Sequence, residues 1–545
     1  MTNWVSNQGP NQWTFRRLAA MLGLALFWTV EVYLVQMAAF DAPPVTHHPL
    51  LFGAARFFFD LATAVFLLLW LRRRWLVSLF IASFVLSLAV VAYGLYFHEP
   101  ITVYVLNSLK EGVRVSSIGA QIIPTPVWAA LIVGLVVKIV WACKIIPHPA
   151  PFRRLGMALC AAVSILLTVA IQFTNFRFGM MRASSGGLTY TYGYLVSWAA
   201  ESWLAPTMKE LGRELVAAQK DSPDRLNGVE PAWPVSGHVV VMQLESIGWS
   251  VLNCRMQGQE VAPYLDQLAQ SDRVLRIHAF HSCGSEDMDY AVLSDGTPSS
   301  RVFSFAIPNV EYPNALPRFM QTRGYHTVSF HGNDGGFYNR RQNYQRMGFD
   351  EILFKRELAQ QPVRLSSWGV RDREVLKISS QKLRQAKSPQ FHFIITLDSH
   401  VPFNLIDDSE KQIFPHSADW RENYFNSVRV LDQDLRNYIE SLPAGTLVIM
   451  YGDHTSGVEY GDFHAAREGE AEYVPCIVHV CGGAANWPPT LSPEAKQVET
   501  CDLHILDVEN HLRRYVESQV ASTRAEPAGA LVRIARAAIQ TSGSH

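Results

Sequence analysis

The hydrophobic residues of this chain are concentrated in its first third, where they form long uninterrupted runs. Five apolar runs cover about 18–40, 50–71, 76–98, 127–147 and 155–173. Each has roughly the ~20 residues that a helix needs to cross the hydrocarbon core of a bilayer. No comparable run follows Phe173. The pattern therefore predicts a transmembrane domain over residues 1–174 that consists of five helices.

Lys and Arg residues are unevenly divided between the two sets of loops that join these runs. The N-terminus and the loops near 72–74 and 144–154 contain eight of them, whereas the opposite loops contain only Lys110 and Arg114. Because positively charged loops stay in the cytoplasm, the count predicts a cytoplasmic N-terminus. Five spans would then place everything after Phe173 on the outer side of the membrane.

Four charged residues fall inside the predicted spans. Arg56 and Lys138 have long apolar stems, so we expect them to extend towards an interface. Glu31 and Asp60 are candidates for holding a lipid headgroup, because intramembrane charges are costly and often functional.

After a predicted juxtamembrane linker over 175–235, short apolar runs alternate with segments of helical periodicity. The predicted strands are His238–Leu244, Thr327–Phe330, Phe391–Leu397, Leu447–Tyr451 and Ile477–Val480, and the predicted helices are 261–270, 313–323, 372–385 and 421–442. This alternation indicates an α/β domain over 236–519, with a mostly parallel sheet flanked by helices. Residues 520–545 read as a C-terminal tail.

Acidic and histidine residues follow four of these strands directly. Glu245 follows the first strand, His331 the second, His400 comes shortly after the third, and Asp453-His454 follows the fourth. The carboxyl ends of parallel strands meet at one edge of a sheet, where active sites form. Oxygen ligands combined with imidazole suit a divalent cation such as Mn²⁺, Mg²⁺ or Zn²⁺.

A candidate nucleophile lies in the segment from Cys283 to Tyr290. Gly284 permits a tight turn, and Ser285 would open a helix that runs to about Ser294. The free N–H groups of a helix N-terminus favour a phosphate group, and a nearby metal ion would activate the serine hydroxyl. The alternative interpretation is that Ser285 only caps this helix, which is a common role for serine.

Composition narrows the class of protein further. Hydrophobic residues make up 49% of the 545 residues and charged residues only 17%, which excludes a disordered chain and favours a membrane protein. A net charge of −1 argues against a nucleic-acid partner. None of the seven cysteines forms a CxxC pair, so the sequence contains no zinc ribbon.

Several motifs resemble the catalytic domain of the lipoteichoic acid synthases, which belong to the alkaline phosphatase/sulfatase superfamily. They occur in the order found in that family and cover roughly 236–515. Five spans followed by an extracytoplasmic domain are also the architecture of that family. The motifs that carry the resemblance are Gly284-Ser285-Glu286-Asp287, Phe337-Tyr338-Asn339-Arg340, Trp368-Gly369-Val370-Arg371-Asp372, Ser399-His400-Val401-Pro402-Phe403 and Tyr451-Gly452-Asp453-His454.

The resemblance implies roles for seven residues. It implies one divalent metal ion, with Mn²⁺ as the first choice and Mg²⁺ or Zn²⁺ as alternatives, held by Glu245, Ser285, Asp453 and His454. Ser285 stands where the family has a threonine nucleophile, and Tyr338 stands where a tryptophan is usual. Substrate-binding positions are implied at Tyr338, Arg340 and His400.

The resemblance also implies a reaction. We expect a phosphoglycerol transferase that moves glycerol phosphate from phosphatidylglycerol, through a covalent Ser285 intermediate, to a glycan or polymer acceptor. The alternatives are a phosphoethanolamine transferase that uses phosphatidylethanolamine, a sulfatase- or phosphatase-type hydrolase, and a non-catalytic membrane sensor.

The composition of the basic residues bears on where this reaction takes place. Only 11 of the 47 basic residues are Lys, a bias typical of a GC-rich genome. The bias favours the inner membrane of a Gram-negative bacterium, with a periplasmic catalytic domain and a periplasmic glucan as acceptor. A teichoic-acid-like acceptor in a Gram-positive bacterium is the alternative.

Overall fold

The chain divides into two compact units, Met1–Pro206 and Thr207–His545. The computed structural model describes residues 10–39, 49–97, 123–144, 153–173, 206–219, 237–271, 273–465, 471–482 and 503–518. Most of the predicted linker over 175–235 and all of the predicted tail over 520–545 lie outside the described residues. The predicted domain boundaries therefore stay predictions.

The first unit contains a helix at each of the five predicted positions. These helices are α1 (Pro10–Ala39), α2 (Pro49–Trp70), α3 (Arg73–Phe97), α4 (Thr125–Lys144) and α5 (Arg153–Phe173). Within the described residues, α3 and α4 are long and apolar enough to cross a membrane, over Arg73–Leu95 and Thr125–Cys143. In α1, α2 and α5, the apolar stretches within the described side chains are shorter. Five spans and a cytoplasmic N-terminus stay predictions.

Lys138 of α4 lies inside the first unit and is paired with an acid. Its side chain is 1% exposed and forms an ion pair with Glu31 of α1, and its Nζ lies 5.7 Å from the centroid of the Phe80 ring. Gly134 gives Glu31 room, because a Cβ at that position would lie 2.8 Å from Glu31 Oε1. The expectation that Lys138 extends to an interface is wrong, because its ammonium is neutralised by a buried carboxylate on a neighbouring helix.

The second unit is built on a seven-stranded sheet with the order β4-β11-β8-β1-β7-β5-β6. Strands β1, β5, β6, β7 and β8 run parallel to one another, whereas β11 is antiparallel to both β8 and β4. The strands are β1 (His238–Leu244), β4 (Arg273–His278), β5 (His326–His331), β6 (Glu351–Leu353), β7 (Gln390–Ile395), β8 (Leu447–Gly452) and β11 (Tyr473–Val480). Two short hairpins supply the other strands, β2 (Arg255–Met256) with β3 (Gln259–Glu260) and β9 (Glu459–Tyr460) with β10 (Phe463–His464).

Helices pack around this sheet, and five of them lie where the sequence predicts helices. The helices are α6 (Met208–Ala218), α7 (Pro263–Ser271), α8 (Glu286–Ser294), α9 (Leu316–Thr322), α10 (Arg340–Met347), α11 (Lys355–Leu358), α12 (Asp372–Gln385), α13 (Trp420–Ser441) and a helix over 505–518. The mostly parallel α/β domain is therefore confirmed. The sequence interpretation missed β4 and β6, because arginines interrupt the apolar residues of the edge strand β4 and β6 has only three residues.

The central strands fix where the site forms. All six residues of β7 and of β8 are buried, as expected for strands covered on both faces. In the parallel register, Leu244 pairs with Gly452 and Gln243 pairs with Ile395. The three central strands thus end side by side, and the residues that follow them meet at one edge of the sheet.

Candidate active site

Glu245 and Asp453 leave neighbouring strands at the same level. The Asp453 backbone N–H donates to the carbonyl oxygen of Leu244 (3.2 Å), which continues the β1–β8 pairing by one residue. The Glu245 backbone N–H donates to Thr396 Oγ1 (2.8 Å), just beyond β7. Strand pairing therefore brings the two carboxylates together, although 208 positions separate them in the sequence.

Glu245, Asp453 and His454 form a buried cluster whose ligand atoms all lie within 4.8 Å of one another. His454 Nε2 lies 3.3 Å from Glu245 Oε1 and 3.7 Å from Asp453 Oδ2. His454 Nδ1 lies 2.7 Å from the carbonyl oxygen of Thr455, to which it donates its proton in this arrangement. That hydrogen bond leaves Nε2 as the ring nitrogen that faces the two carboxylates, and this nitrogen could bind a metal ion once it gives up its proton.

The electrostatics of this cluster call for a positive charge. Asp453 Oδ1 accepts hydrogen bonds from the N–H groups of Ser246 and His454 (both 2.8 Å), but Asp453 Oδ2 is buried without a hydrogen-bond partner. Burial and the nearby Glu245 carboxylate raise the pKa of Asp453 well above its usual range. Burial alone would lower the pKa of His454, yet Asp453 and Glu245 raise it to about 10.

These residues fit a divalent cation. They offer carboxylate oxygens and one imidazole nitrogen at a single buried point, and this ligand set suits Mn²⁺, Mg²⁺ or Zn²⁺. A bound cation would also satisfy Asp453 Oδ2, which accepts no hydrogen bond among the described residues.

Ser285 stands at the start of α8 with its hydroxyl facing this cluster. Its Oγ lies 3.1 Å from His454 Nε2, and its side chain makes no capping hydrogen bond with the helix. Asp287 stabilises the turn before α8 instead, because its Oδ2 accepts hydrogen bonds from the N–H groups of Ser282 and Cys283 (both 2.7 Å). The geometry thus favours the nucleophile interpretation of Ser285 over the helix-cap interpretation.

Tyr338 lies next to the turn that carries Ser285. Gly284 has a φ of +138°, and a Cβ there would lie only 2.7 Å from the Tyr338 hydroxyl oxygen. Tyr338 itself adopts a left-handed backbone conformation, with φ of +52°. Two unusual backbone conformations therefore hold this hydroxyl beside the candidate nucleophile.

Arg340 lies behind Tyr338 and is bound to α8. Its Nε and Nη2 atoms each donate to the Asp289 carboxylate at 3.0 Å, and its side chain is 3% exposed. Its Cζ lies 5.0 Å from the centroid of the Tyr338 ring. The Nε–Nη2 edge of the guanidinium, which could otherwise bind a phosphate, is therefore occupied by Asp289. Nη1 is the nitrogen outside this ion pair.

His400 is half-buried beside an indole ring. Its Nδ1 lies 2.6 Å from the carbonyl oxygen of Val401, and its ring lies 4.5 Å from that of Trp368 at an interplanar angle of 34°. Although burial would raise the pKa of Glu245, His400 and His454 lower it, which indicates that His400 lies close to the cluster. The catalytic and binding roles of all seven residues stay predictions.

Two contacts next to the cluster were not predicted from the sequence. Gln243 of β1 donates from Nε2 to the carbonyl oxygen of Ser285 (2.9 Å) and accepts from the Tyr451 hydroxyl (3.0 Å). His281 stacks on His454 with centroids 4.1 Å apart, and Glu472 Oε1 lies 3.1 Å from His281 Nδ1. Nothing in the local sequence distinguishes Gln243 or Glu472 from ordinary polar residues, because their partners are distant in the chain.

His331 is a third neighbour, which the sequence placed at a strand end without a defined role. Its Nδ1 lies 3.1 Å from the carbonyl oxygen of Ile395, and burial lowers its pKa to about 3. His331 is therefore neutral at physiological pH.

Comparisons with known proteins agree with this geometry. Residues 237–501 match the family model described as Sulfatase. The chain is 24% identical over 478 residues to the lipoteichoic acid synthase-like protein YvgJ of Bacillus subtilis, a match that covers 79% of this chain and 76% of that protein. It is 22% identical over 439 residues to lipoteichoic acid synthase 2 of the same organism, covering 74% and 67%.

A solved membrane protein has a similar fold. The integral membrane lipooligosaccharide phosphoethanolamine transferase A (EptA) from Neisseria meningitidis matches with a TM-score of 0.54. The match covers 85% of this chain and 88% of that one at 14% identity, so it shows the fold alone.

Proposed function

We propose that this chain, which matches the Sulfatase family model over residues 237–501 and is similar to lipoteichoic acid synthases, is a phosphotransferase of the alkaline phosphatase superfamily that transfers glycerol phosphate from phosphatidylglycerol to an extracytoplasmic glycan or polymer. The observation that supports the proposal best is the position of Ser285 Oγ, 3.1 Å from the nitrogen of a buried Glu245–Asp453–His454 cluster. A hydroxyl in that position is a nucleophile beside a metal site.

In the first step, Ser285 Oγ attacks the phosphorus of the phospholipid. The Oγ–P bond forms, and the bond between phosphorus and the diacylglycerol oxygen breaks. The serine gives up its proton, and the departing diacylglycerol oxygen takes up one proton. His400, half-buried beside the cluster, is our candidate for a contact with the phosphoryl oxygens or with the leaving oxygen.

In the second step, a hydroxyl group of the acceptor attacks the same phosphorus. The Oγ–P bond breaks, and the proton of the acceptor hydroxyl is returned to Ser285. The headgroup is then attached to the acceptor through a phosphodiester bond, and the serine is ready for another cycle. This double displacement explains why the site needs a nucleophile that can also leave.

Glu245, Asp453, His454 and Ser285 would hold the cofactor. A divalent cation bound there supplies Lewis acidity, which lowers the pKa of the hydroxyl and offsets phosphoryl charge. Mn²⁺ is our first choice because the ligands combine two carboxylates with one imidazole, and Mg²⁺ and Zn²⁺ are the alternatives. Gln243 donates a hydrogen bond to the Ser285 carbonyl oxygen, which fixes the backbone of the nucleophile relative to β1.

The headgroup distinguishes this proposal from its main alternative. The relatives named as lipoteichoic acid synthases favour glycerol phosphate. The fold similarity to EptA keeps phosphoethanolamine transfer as the second candidate.

The test uses the full chain in vesicles that contain both phosphatidylglycerol and phosphatidylethanolamine, with Mn²⁺ and a β-glucan oligosaccharide. We expect release of diacylglycerol and appearance of glycerol phosphate on the oligosaccharide.

Phosphoethanolamine on the oligosaccharide would identify the chain as the alternative transferase. Diacylglycerol release with free headgroup phosphate as the end product, whatever acceptor is present, would make it a hydrolase. No reaction with either lipid would contradict the proposal. Ser285→Ala is the matched control for every reading.

A further inference from the structure

A row of aromatic side chains borders the candidate active site. Consecutive rings contact one another with centroid distances of 4.7 Å for Phe303–Tyr338, 4.4 Å for Tyr338–Phe337, 6.1 Å for Phe337–Trp368 and 4.5 Å for Trp368–His400. Phe337 is buried, and the other four side chains are half-buried. We call these five residues the aromatic wall.

One end of the aromatic wall adjoins the nucleophile. A Cβ on Gly284 would lie 3.7 Å from Phe303 Cε1 and 2.7 Å from the Tyr338 hydroxyl oxygen, and Gly284 directly precedes Ser285. At the other end, His400 directly follows Ser399, whose Oγ donates to the carbonyl oxygen of Glu245 (2.6 Å). The wall therefore borders the site at both of its ends, beside the turn that carries Ser285 and beside the strand end that carries Glu245.

Two polar atoms of the wall have no protein partner. Among the described residues, nothing hydrogen-bonds to the Tyr338 hydroxyl or to the Trp368 indole N–H, and neither atom is fully buried. Such rings offer an apolar face together with an accessible polar tip. An acyl chain would leave both polar tips without partners, whereas a sugar ring presents an apolar C–H face surrounded by hydroxyl groups.

We propose that Phe303 and Trp368 bind a sugar ring of the acceptor, so that the aromatic wall is a glycan-binding subsite. Nothing in the sequence motifs assigned a role to Phe303, and Trp368 entered only as part of a motif. The inference depends on the proposed transfer reaction, because it names the class of acceptor that reaches Ser285. It also implies that Phe303 and Trp368 act in the second step and not in the first.

The test separates the two steps. Phe303→Leu and Trp368→Leu remove the rings, whereas Phe303→Tyr and Trp368→Phe keep them. Each full-length variant is measured for formation of the Ser285 adduct from phosphatidylglycerol, and then for transfer to a short β-glucan oligosaccharide. Tyr460→Leu, which removes a half-buried ring on β9, is the control for the loss of an aromatic side chain.

We expect the leucine variants to form the adduct at a rate within about twofold of the unaltered chain, and to show a KM for the oligosaccharide about three- to tenfold higher, as the loss of one aromatic contact predicts. The ring-preserving variants should retain most of the transfer. Equal loss of both steps, or no change in either, would overturn the inference. So would an unaltered chain that transfers to a glycerol phosphate oligomer and not to the glucan. If the unaltered chain forms no adduct, the proposed function itself has failed and this inference with it.

Discussion

Arg340 and Asp289 form a buried ion pair with two parallel hydrogen bonds of 3.0 Å, from Nε to Oδ2 and from Nη2 to Oδ1. The Tyr344 hydroxyl also donates to Asp289 Oδ2 (2.6 Å). Asp289 is on α8, the helix that Ser285 opens, and Arg340 opens α10. The pair therefore joins α8 to the segment that carries Tyr338.

Removing one member of this pair should cost stability as well as activity. Because Asp289→Asn leaves a buried guanidinium without its counter-charge, we expect it to lower the free energy of unfolding by about 3–5 kcal/mol. Arg340→Met should have a similar effect, and the double variant should cost less than the sum of the two. Thermal unfolding of the full chain in detergent measures this. If Arg340→Met lowered activity and left stability unchanged, Arg340 would serve the substrate alone.

Neutralising Asp453 should have opposite effects with and without metal. In metal-depleted protein, Asp453→Asn relieves the repulsion between two buried carboxylates, so we expect the Tm to rise. In the unaltered chain, Mn²⁺ at a hundred times its Kd should stabilise the fold by about 2.7 kcal/mol, and the variant should lose most of that gain.

The measurement for this prediction is thermal unfolding with a chelator and with Mn²⁺. Asp408→Asn, at an exposed carboxylate, is the control and should behave like the unaltered chain. An Asp453→Asn variant with an unchanged response to Mn²⁺ would contradict the assigned metal site.

A methyl group at Gly284 should disable the site through Tyr338. Gly284→Ala introduces a Cβ that would lie only 2.7 Å from the Tyr338 hydroxyl oxygen, which is a steric clash. It also forces alanine to adopt a φ of +138°. We expect a loss of transfer of at least about tenfold, which corresponds to about 1.4 kcal/mol. Tyr338→Phe removes the overlapping oxygen, so Gly284→Ala/Tyr338→Phe should lose less relative to Tyr338→Phe than Gly284→Ala loses relative to the unaltered chain. Equal losses in both backgrounds would show that the backbone, and not the hydroxyl, limits this position.

Acid should weaken the fold through a histidine far from the cluster in sequence. His392 is buried in the middle of β7, and burial lowers its pKa well below the usual range. The unfolded chain takes up a proton there below about pH 6.5, whereas the folded chain does not. Stability should therefore be complete above that pH and should fall as the pH decreases, by at most about 1.4 kcal/mol per pH unit for this group.

We expect the Tm of the unaltered chain to fall more steeply between about pH 7 and 5 than that of His392→Gln, since only the former gains a proton on unfolding in this range. Parallel curves for the two proteins would show that His392 is not neutral in the fold. The comparison at each pH cancels the contributions of other histidines, which both proteins share.

Some of this architecture could be predicted because it depends on local patterns. The five long apolar runs predicted helices, and the alternation after His238 predicted a mostly parallel sheet, because burial on both faces leaves continuous apolar strands. The proximity of Glu245 to Asp453-His454 also followed, since parallel strands end at one edge of the sheet.

Other features depend on pairing between distant segments, which periodicity does not encode. Asp289 and Arg340 are 51 positions apart, and Lys138 is neutralised by a glutamate on another helix. Arg340, which was predicted to bind substrate, is one of three arginines on the polar helix α10. Its buried pairing with Asp289 became visible only when α8 and α10 were packed together.

Mass spectrometry of the peptide that contains Ser285 tests directly whether this serine is the nucleophile that accepts glycerol phosphate. The purified full chain is incubated with phosphatidylglycerol and Mn²⁺, quenched in acid and digested. We expect a glycerophosphoryl adduct on Ser285 and the release of one diacylglycerol per adduct. The adduct should be absent from Ser285→Ala. Diacylglycerol release by the unaltered chain with an unmodified Ser285 under quenching that preserves phosphoserine, or an adduct on another residue, would contradict this expectation.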